Sequence, residues 1–183
     1  LFQLLTNLAM EPPVRTNSEA IREEKVKVLK AMRTVAPADI VRGRFDGYLD
    51  EPGVAADSAT ETFTAMRLHI DSWRWQDVPF YVRAGKNLPV TCTEVLVRLK
   101  RSPSVYATHD SLPNHVRMRF SPDVQIALGM NVLSPLDESL TVGAEMMASR
   151  RPAAAEMDAY ERVLGDAMQG DATLFAREDY VEE

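Results

Sequence analysis

Residues 78–100 read VPFYVRAGKNLPVTCTEVLVRLK. Phe80 and Val82 alternate with Tyr81 and Arg83, and the run ends in Ala84-Gly85-Lys86. After a short polar break, Val95, Val97 and Leu99 alternate with Glu94, Leu96, Arg98 and Lys100. A period of two marks strands whose side chains point alternately to two faces. The same period recurs on both sides of this stretch. Thr62, Thr64, Met66, Leu68 and Ile70 alternate with Phe63, Ala65, Arg67 and His69. Val116, Met118 and Phe120 alternate with His115, Arg117 and Arg119, and Val124, Ile126, Leu128, Met130 and Val132 form the clearest run. Five such strands predict a large, mostly antiparallel sheet with one apolar and one polar side. The apolar row of Val116–Phe120 and Val124–Val132 is expected to lie under flanking helices. Strand character continues weakly from Ser139 to Met146.

Helical periods bracket the strands. Leu1, Leu4, Leu5 and Leu8 recur at helical spacing until Pro12-Pro13, where the missing N–H and fixed φ stop a helix. Asn17-Ser18 can cap a helix beginning SEAIREEKVKVLKAM, with Ile21, Val28, Leu29 and Met32 as its apolar stripe. Glu23 and Lys27, four apart, are expected to pair on its wet face. RRPAAAEMDAYERVLGDAMQG reads as a last helix, with Pro152 in its first turn, Gly170 at its end, and Met157, Tyr160, Leu164 and Met168 buried. Helices first, strands in the middle and a helix last give an α+β class, with helices on one face of the sheet. GYLDEPGVAADSAT, residues 47–60, is a loop long enough to be functional or mobile.

Composition narrows the function. Of 183 residues, 45% are hydrophobic and 26% charged, which suits a packed core. A net charge of -6 argues against nucleic-acid or anionic-membrane partners, so any anionic ligand must be held by local positive charge. No apolar run reaches the roughly 18 residues a membrane helix needs. The start, LFQLLTNLAM, has no basic leader and no initiating Met. The expectation is a chain cut from something longer. Cys92 is the single cysteine, which fits a reducing cytoplasm, and no base lies near it in sequence.

Catalytic patterns are scarce. There is no G-x-G-x-x-G after a strand, and Gly165 to Gly170 is followed by Asp171-Ala172 where a phosphate loop needs Lys-Ser/Thr. His69, His109 and His115 form no ligand spacing, so no metal is expected. The serines sit in loops and caps rather than on a nucleophile elbow. Trp73 and Trp75, in DSWRWQD, are expected to pack at a sheet edge. Lys86 is left. It is either a solvated hairpin tip or a point charge for phosphate, beside a glycine that admits a ligand to the backbone.

TNSEAIREEKVKVLKAM, GYLDEPGV and SATETFTAMRLHIDSWRWQDVPFYVRAGKNL together resemble the glucose-6-phosphate dehydrogenase family, in its C-terminal domain. LFQLLTNLAMEPP at the start and DAYERVLGDAMQGDATLFAREDYVEE at the end are similar to the same family, in the same order. The resemblance implies that residues 1–183 are the C-terminal substrate and dimerisation domain of a two-domain dehydrogenase. It implies oxidation of glucose 6-phosphate to 6-phosphogluconolactone in the pentose phosphate pathway, with NADP bound mainly by an N-terminal domain. It also implies a cytoplasmic homodimer or homotetramer. The family's general-base histidine belongs to an Asn-His-Leu segment just before the point where this chain starts, so no catalytic residue is expected here.

By the same resemblance, Lys86 falls on the family's substrate-binding lysine. Many relatives carry a second basic substrate contact five residues later, where this chain has Thr91. Some relatives hold a second, structural NADP beside the sheet. Arg83 and Arg119 occupy two of those positions, but Cys92, Leu96, Ala127 and Gly129 stand at others, so no such cofactor is expected. Two other readings remain open: a stand-alone sugar-phosphate-binding module, and a protein-interaction module, both without redox activity.

Overall fold

The computed structural model describes residues 1–101, 113–136, 141–150 and 157–183; His109, Ser139 and Pro152 lie outside them. The chain divides into two units, Leu1–Leu88 with Met157–Glu183, and Pro89–Glu156. The class is α+β, and its strands are shared between two antiparallel sheets of three and four strands.

The first unit begins with α1 (Phe2–Ala9) and α2 (Ser18–Lys30). The Asn17 side chain accepts a hydrogen bond from Ala20 N at 2.8 Å, which caps α2 as its sequence predicts. Strands β1 (Ile40–Gly43), β2 (Phe63–Leu68) and β3 (Phe80–Gly85) pair in chain order. β1 is too short for its alternation to stand out in the sequence. Ala9, Val28 and Ile70 form the core between helices and sheet, with Met10, Ala31, Trp75 and Phe80 packed on it.

The sequence underrates two residues of α2. Val26 and Lys25 are buried, while Ile21, Leu29 and Met32 are half-buried. The ammonium of Lys25 donates to Gln3 Oε1 at 3.2 Å, and burial lowers its pKa. The expected Glu23–Lys27 pair is not formed. Lys27 turns to Glu24 at 2.8 Å, and Glu23 accepts instead from Arg177 at 2.9 Å.

Two further helices complete this unit, α3 (Ala159–Gln169) and α4 (Glu178–Glu182). Arg177, just before α4, also reaches Glu19 at 2.6 Å and so fastens α4 to α2. Asp158 caps α3 and Gly170, at φ 73°, ends it. Residues 151–156, where the sequence places the first turns of this helix, lie outside the described residues. Its stripe of Met157, Tyr160, Leu164 and Met168 is exposed, contrary to the sequence expectation.

The second unit holds β4 (Thr93–Arg98), β5 (His115–Ser121), β6 (Val124–Leu133) and β7 (Thr141–Arg150), each antiparallel to the next. Its register places Met118, Ile126 and Ala148 in one cross-strand row, and Val116, Leu128 and Met146 in the next. This apolar row was expected under helices, yet Ile126 is 53% exposed and Met146 66%. The buried positions are the small ones on the other row, Ala127 and Gly129.

A polar side chain of the same sheet covers the glycine. A Cβ on Gly129 would stand 2.0 Å from Cε1 of His115, so the imidazole occupies the space a side chain would need. Arg117 reaches Glu145 at 2.6 Å, and Arg119 reaches Glu94 at 3.2 Å. The Arg117 hydrogen bond holds the Glu145 carboxyl below its usual pKa. The polar side of this sheet is thus a neutralised ion-pair network.

Candidate functional site

Lys86 lies one residue past the end of β3. Its backbone N–H donates to Thr62 O at 2.8 Å, so the β2–β3 ladder runs one step beyond the strand. Asn87 then turns the chain away in the left-handed region, at φ 52°. That conformation is uncommon for residues with a side chain, although asparagine is among those that tolerate it best. Lys86 is thereby held against the start of β2 rather than at the tip of a free loop.

The reason for Gly85 is packing. A Cβ there would lie 2.8 Å from Cδ2 of Phe63, its cross-strand partner, and 3.3 Å from Thr62 O. The glycine makes room for the Phe63 ring. Together, residues 61–64 and 84–86 line a cleft of about 480 Å³, within the usual size range for small-molecule sites.

The Lys86 side chain is exposed and has no ion-pair partner among the described residues. Elsewhere in the same unit several cations are engaged: Arg67 with Asp39 at 2.5 Å, Arg33 with Asp71 at 2.6 Å, and Arg44 with the Ser58 carbonyl at 2.6 Å. An uncommitted ammonium at the lip of a cleft is chemically suited to a phosphate or other anion.

The other candidates disperse. His69 is half-buried on β2's extension, and His115 sits 3.7 Å from Glu145 in the other unit. Cys92 is exposed and free. No three His, Cys, Asp or Glu residues come together as a metal site among the described residues. Trp75 packs at the sheet edge as expected, but Trp73 is fully exposed. Two residues near the cleft escaped the sequence reading: Glu61, which lines it, and Arg42, which meets Glu61 at 3.4 Å. They lie nineteen positions apart in sequence, and only the pairing of β1 with β2 brings them together.

Over residues 1–183 the chain matches the model of the family described as glucose-6-phosphate dehydrogenase, C-terminal domain. The chain belongs to that family. It is 40% identical over 197 residues to glucose-6-phosphate 1-dehydrogenase of Aggregatibacter actinomycetemcomitans, covering 99% of this chain and 40% of that protein. The Bacillus subtilis enzyme of the same name is 37% identical over 99% of this chain and 41% of its own length. Among solved structures, the glucose-6-phosphate 1-dehydrogenase of Mycobacterium avium superposes with a TM-score of 0.87 at 38% identity. That comparison covers 100% of this chain and 39% of the M. avium chain. A glucose-6-phosphate dehydrogenase in complex with its substrate glucose 6-phosphate gives 0.84 at 34% identity, over 99% of this chain and 40% of that one. This chain thus spans about two fifths of the glucose-6-phosphate dehydrogenases it matches.

Proposed function

We propose that this chain is the substrate-binding and oligomerising part of an enzyme that oxidises glucose 6-phosphate to 6-phosphogluconolactone with NADP, in the pentose phosphate pathway. Family membership over the full chain carries this reading. Lys86, uncommitted at the cleft of residues 61–64 and 84–86, is its substrate contact. The hydride acceptor and the base belong to the remainder of such an enzyme. The reaction is soluble chemistry with diffusible metabolites, and the reading places it in the cytoplasm. No described helix is long and apolar enough to cross a membrane.

The described residues do not fit a second, structural NADP. Its phosphates need clustered, available positive charge. Arg119, one of the two matching positions, already shares Glu94 at 3.2 Å with Arg117 at 3.8 Å. At two others, Ala127 is buried and Gly129 lies beneath the His115 ring of its own sheet.

The division of labour has a direct test. The isolated chain, given glucose 6-phosphate and NADP, is expected to form no reduced cofactor, whereas the full-length enzyme does. Turnover by the isolated chain above background overturns the assignment.

The four-stranded sheet is the proposed self-association surface. The polar side is satisfied by its own ion pairs, so the apolar side is favoured. Ile126, Leu128, Val132 and Met146 are exposed there, and stable interfaces carry an apolar centre with a polar rim. Sedimentation equilibrium is expected to give a dimer or tetramer that Leu128→Arg reduces to monomer. A wild-type monomer insensitive to concentration overturns the surface.

A further inference from the structure

Trp73 and Trp75 stand two apart in DSWRWQD, yet only Trp75 joins the core. The Trp73 indole is fully exposed. Single exposed aliphatic residues are ordinary on protein surfaces, but tryptophan presents a large rigid face and is enriched where binding energy concentrates. The neighbouring cation does not cover it. Arg74 lies over the Trp75 ring at 5.5 Å and meets Glu11 at 3.2 Å.

The indole borders a cleft of about 290 Å³, lined also by Arg33, Asp71, Ser72 and Gln76. All these residues belong to the first unit. Their backbone is fixed by an antiparallel bridge between Met32 and Ile70. Arg33 N–H donates to His69 O at 3.0 Å, and Asp71 N–H to Ala31 O at 2.7 Å. The chain just past α2 is thereby joined to the chain just past β2, which sets Arg33 against Asp71. Arg33 Nε donates to both Asp71 oxygens, at 2.7 and 2.9 Å, and holds that carboxyl below its usual pKa.

Hydrogen-bonding capacity is left over at every polar group of the lining. A carboxylate accepts, and a guanidinium donates, more bonds than this pair uses. The Gln76 amide is exposed and has no partner among the described residues, so it offers both a donor and an acceptor. Ser72 Oγ, buried beside them, has no partner among the described residues either. Unmet polar groups of this kind are uncommon in folded proteins. A flat apolar face bordered by mixed donors and acceptors matches a ring with C–H faces and a hydroxylated edge, each hydroxyl being donor and acceptor at once. Charge argues against an anion. Arg33 and Arg74 are committed to Asp71 and Glu11, and the Asp77 carboxylate also acts on Arg33. A sugar phosphate or nucleotide needs available cations instead.

We propose that the cleft beside Trp73 binds one uncharged pyranose ring, stacked on the indole and hydrogen-bonded by Asp71, Arg33 and Gln76. The cleft is small for a ligand site, and one ring is what it holds. It shares no residue with the Lys86 cleft: Trp73 and Gln76 precede β3 in the chain, and Lys86 follows it.

Saturation-transfer difference NMR on the full-length enzyme tests this, with methyl β-D-glucopyranoside as the probe. The probe carries no phosphate, and its C1 oxygen is methylated, so it is no substrate for oxidation at that carbon. A dissociation constant on the order of 1–10 mM is expected, as suits a small ligand on an open site. The signals persist in saturating glucose 6-phosphate. Trp73→Ala weakens binding about 10-fold or more, and Gln76→Ala about 2- to 10-fold, while the KM for glucose 6-phosphate stays at its wild-type value. Both side chains are exposed, so the fold survives either change, and an unaltered thermal melt confirms this. Absence of saturation transfer from the wild-type enzyme overturns the proposal, as does equal binding by Trp73→Ala. Signals abolished by glucose 6-phosphate overturn it as well, because they place the probe in the substrate's own site.

Discussion

Lys86→Ala, in the full-length enzyme that carries this chain, is expected to raise the KM for glucose 6-phosphate by about 10- to 150-fold and to leave the KM for NADP almost unmoved. A hydrogen bond to a charged group is worth roughly 1.5–3 kcal/mol, which converts to that range of affinity. Two features of the structure support an effect of this kind. Among the described residues the Lys86 ammonium has no carboxylate to leave when substrate arrives, so no existing ion pair there offsets the new one. Its backbone is also fixed, by the N–H bond to Thr62 O at 2.8 Å and by the left-handed turn at Asn87. Less ordering entropy is then lost on binding than a free hairpin tip would lose. Lys86→Arg is expected to recover only part of the affinity, since a planar guanidinium has a different reach and approach from an ammonium. Initial-rate kinetics with each substrate varied in turn decide the matter. Equal rises in both KM values would point to a damaged fold, and no rise at all would return Lys86 to a solvated turn.

The same stretch shows what the sequence could reveal and what it could not. Alternation located β2 to β6 because a strand with two unlike faces writes a period of two into its residues. It did not resolve β1, whose four residues are too few for a pattern. It also could not divide the strands between two sheets, since pairing partners are a tertiary choice. Facing was misjudged on β6 for a physical reason. Ile126 and Leu128 have the apolar character of buried residues, but burial followed the room available: Ala127 and Gly129 are the buried positions, and Gly129 is small enough to lie under the His115 ring. Val26 was passed over because lysines flank it, although the flexible stem of Lys25 is itself buried beside it. At the site, Lys86 was legible as a cation after a glycine, while Arg42 and Glu61 were not. Nothing in a linear sequence joins residues that meet only through strand register.

The two tryptophans of DSWRWQD, alike in sequence, are expected to differ widely in stability. Trp75 packs on the Ala9–Val28–Ile70 core and meets Phe80 edge to face at a ring separation of 5.1 Å. Its Nε1–H donates to Ala9 O at 2.9 Å, and that oxygen lies at the C-terminal end of α1, where the last carbonyls lack helical partners. Trp75 therefore binds the first helix to the sheet edge by both contact and hydrogen bond. Truncating a fully buried tryptophan costs about 3–5 kcal/mol. Trp75 is only half-buried, which lowers the packing loss, but its removal also strands the Ala9 carbonyl at about 1 kcal/mol. Trp75→Ala is thus expected to destabilise the chain by about 3 kcal/mol. Trp75→Phe keeps the ring contact and loses the N–H, so about 1 kcal/mol is expected for it. Trp73 is fully exposed, and Trp73→Ala is expected to stay within about 0.5 kcal/mol of wild type. Urea denaturation followed by far-UV circular dichroism, which does not depend on the indoles being replaced, separates the three variants. Equal midpoints for Trp75→Ala and Trp73→Ala would mean that α1 is not held to the sheet in the way the Trp75–Ala9 bond requires.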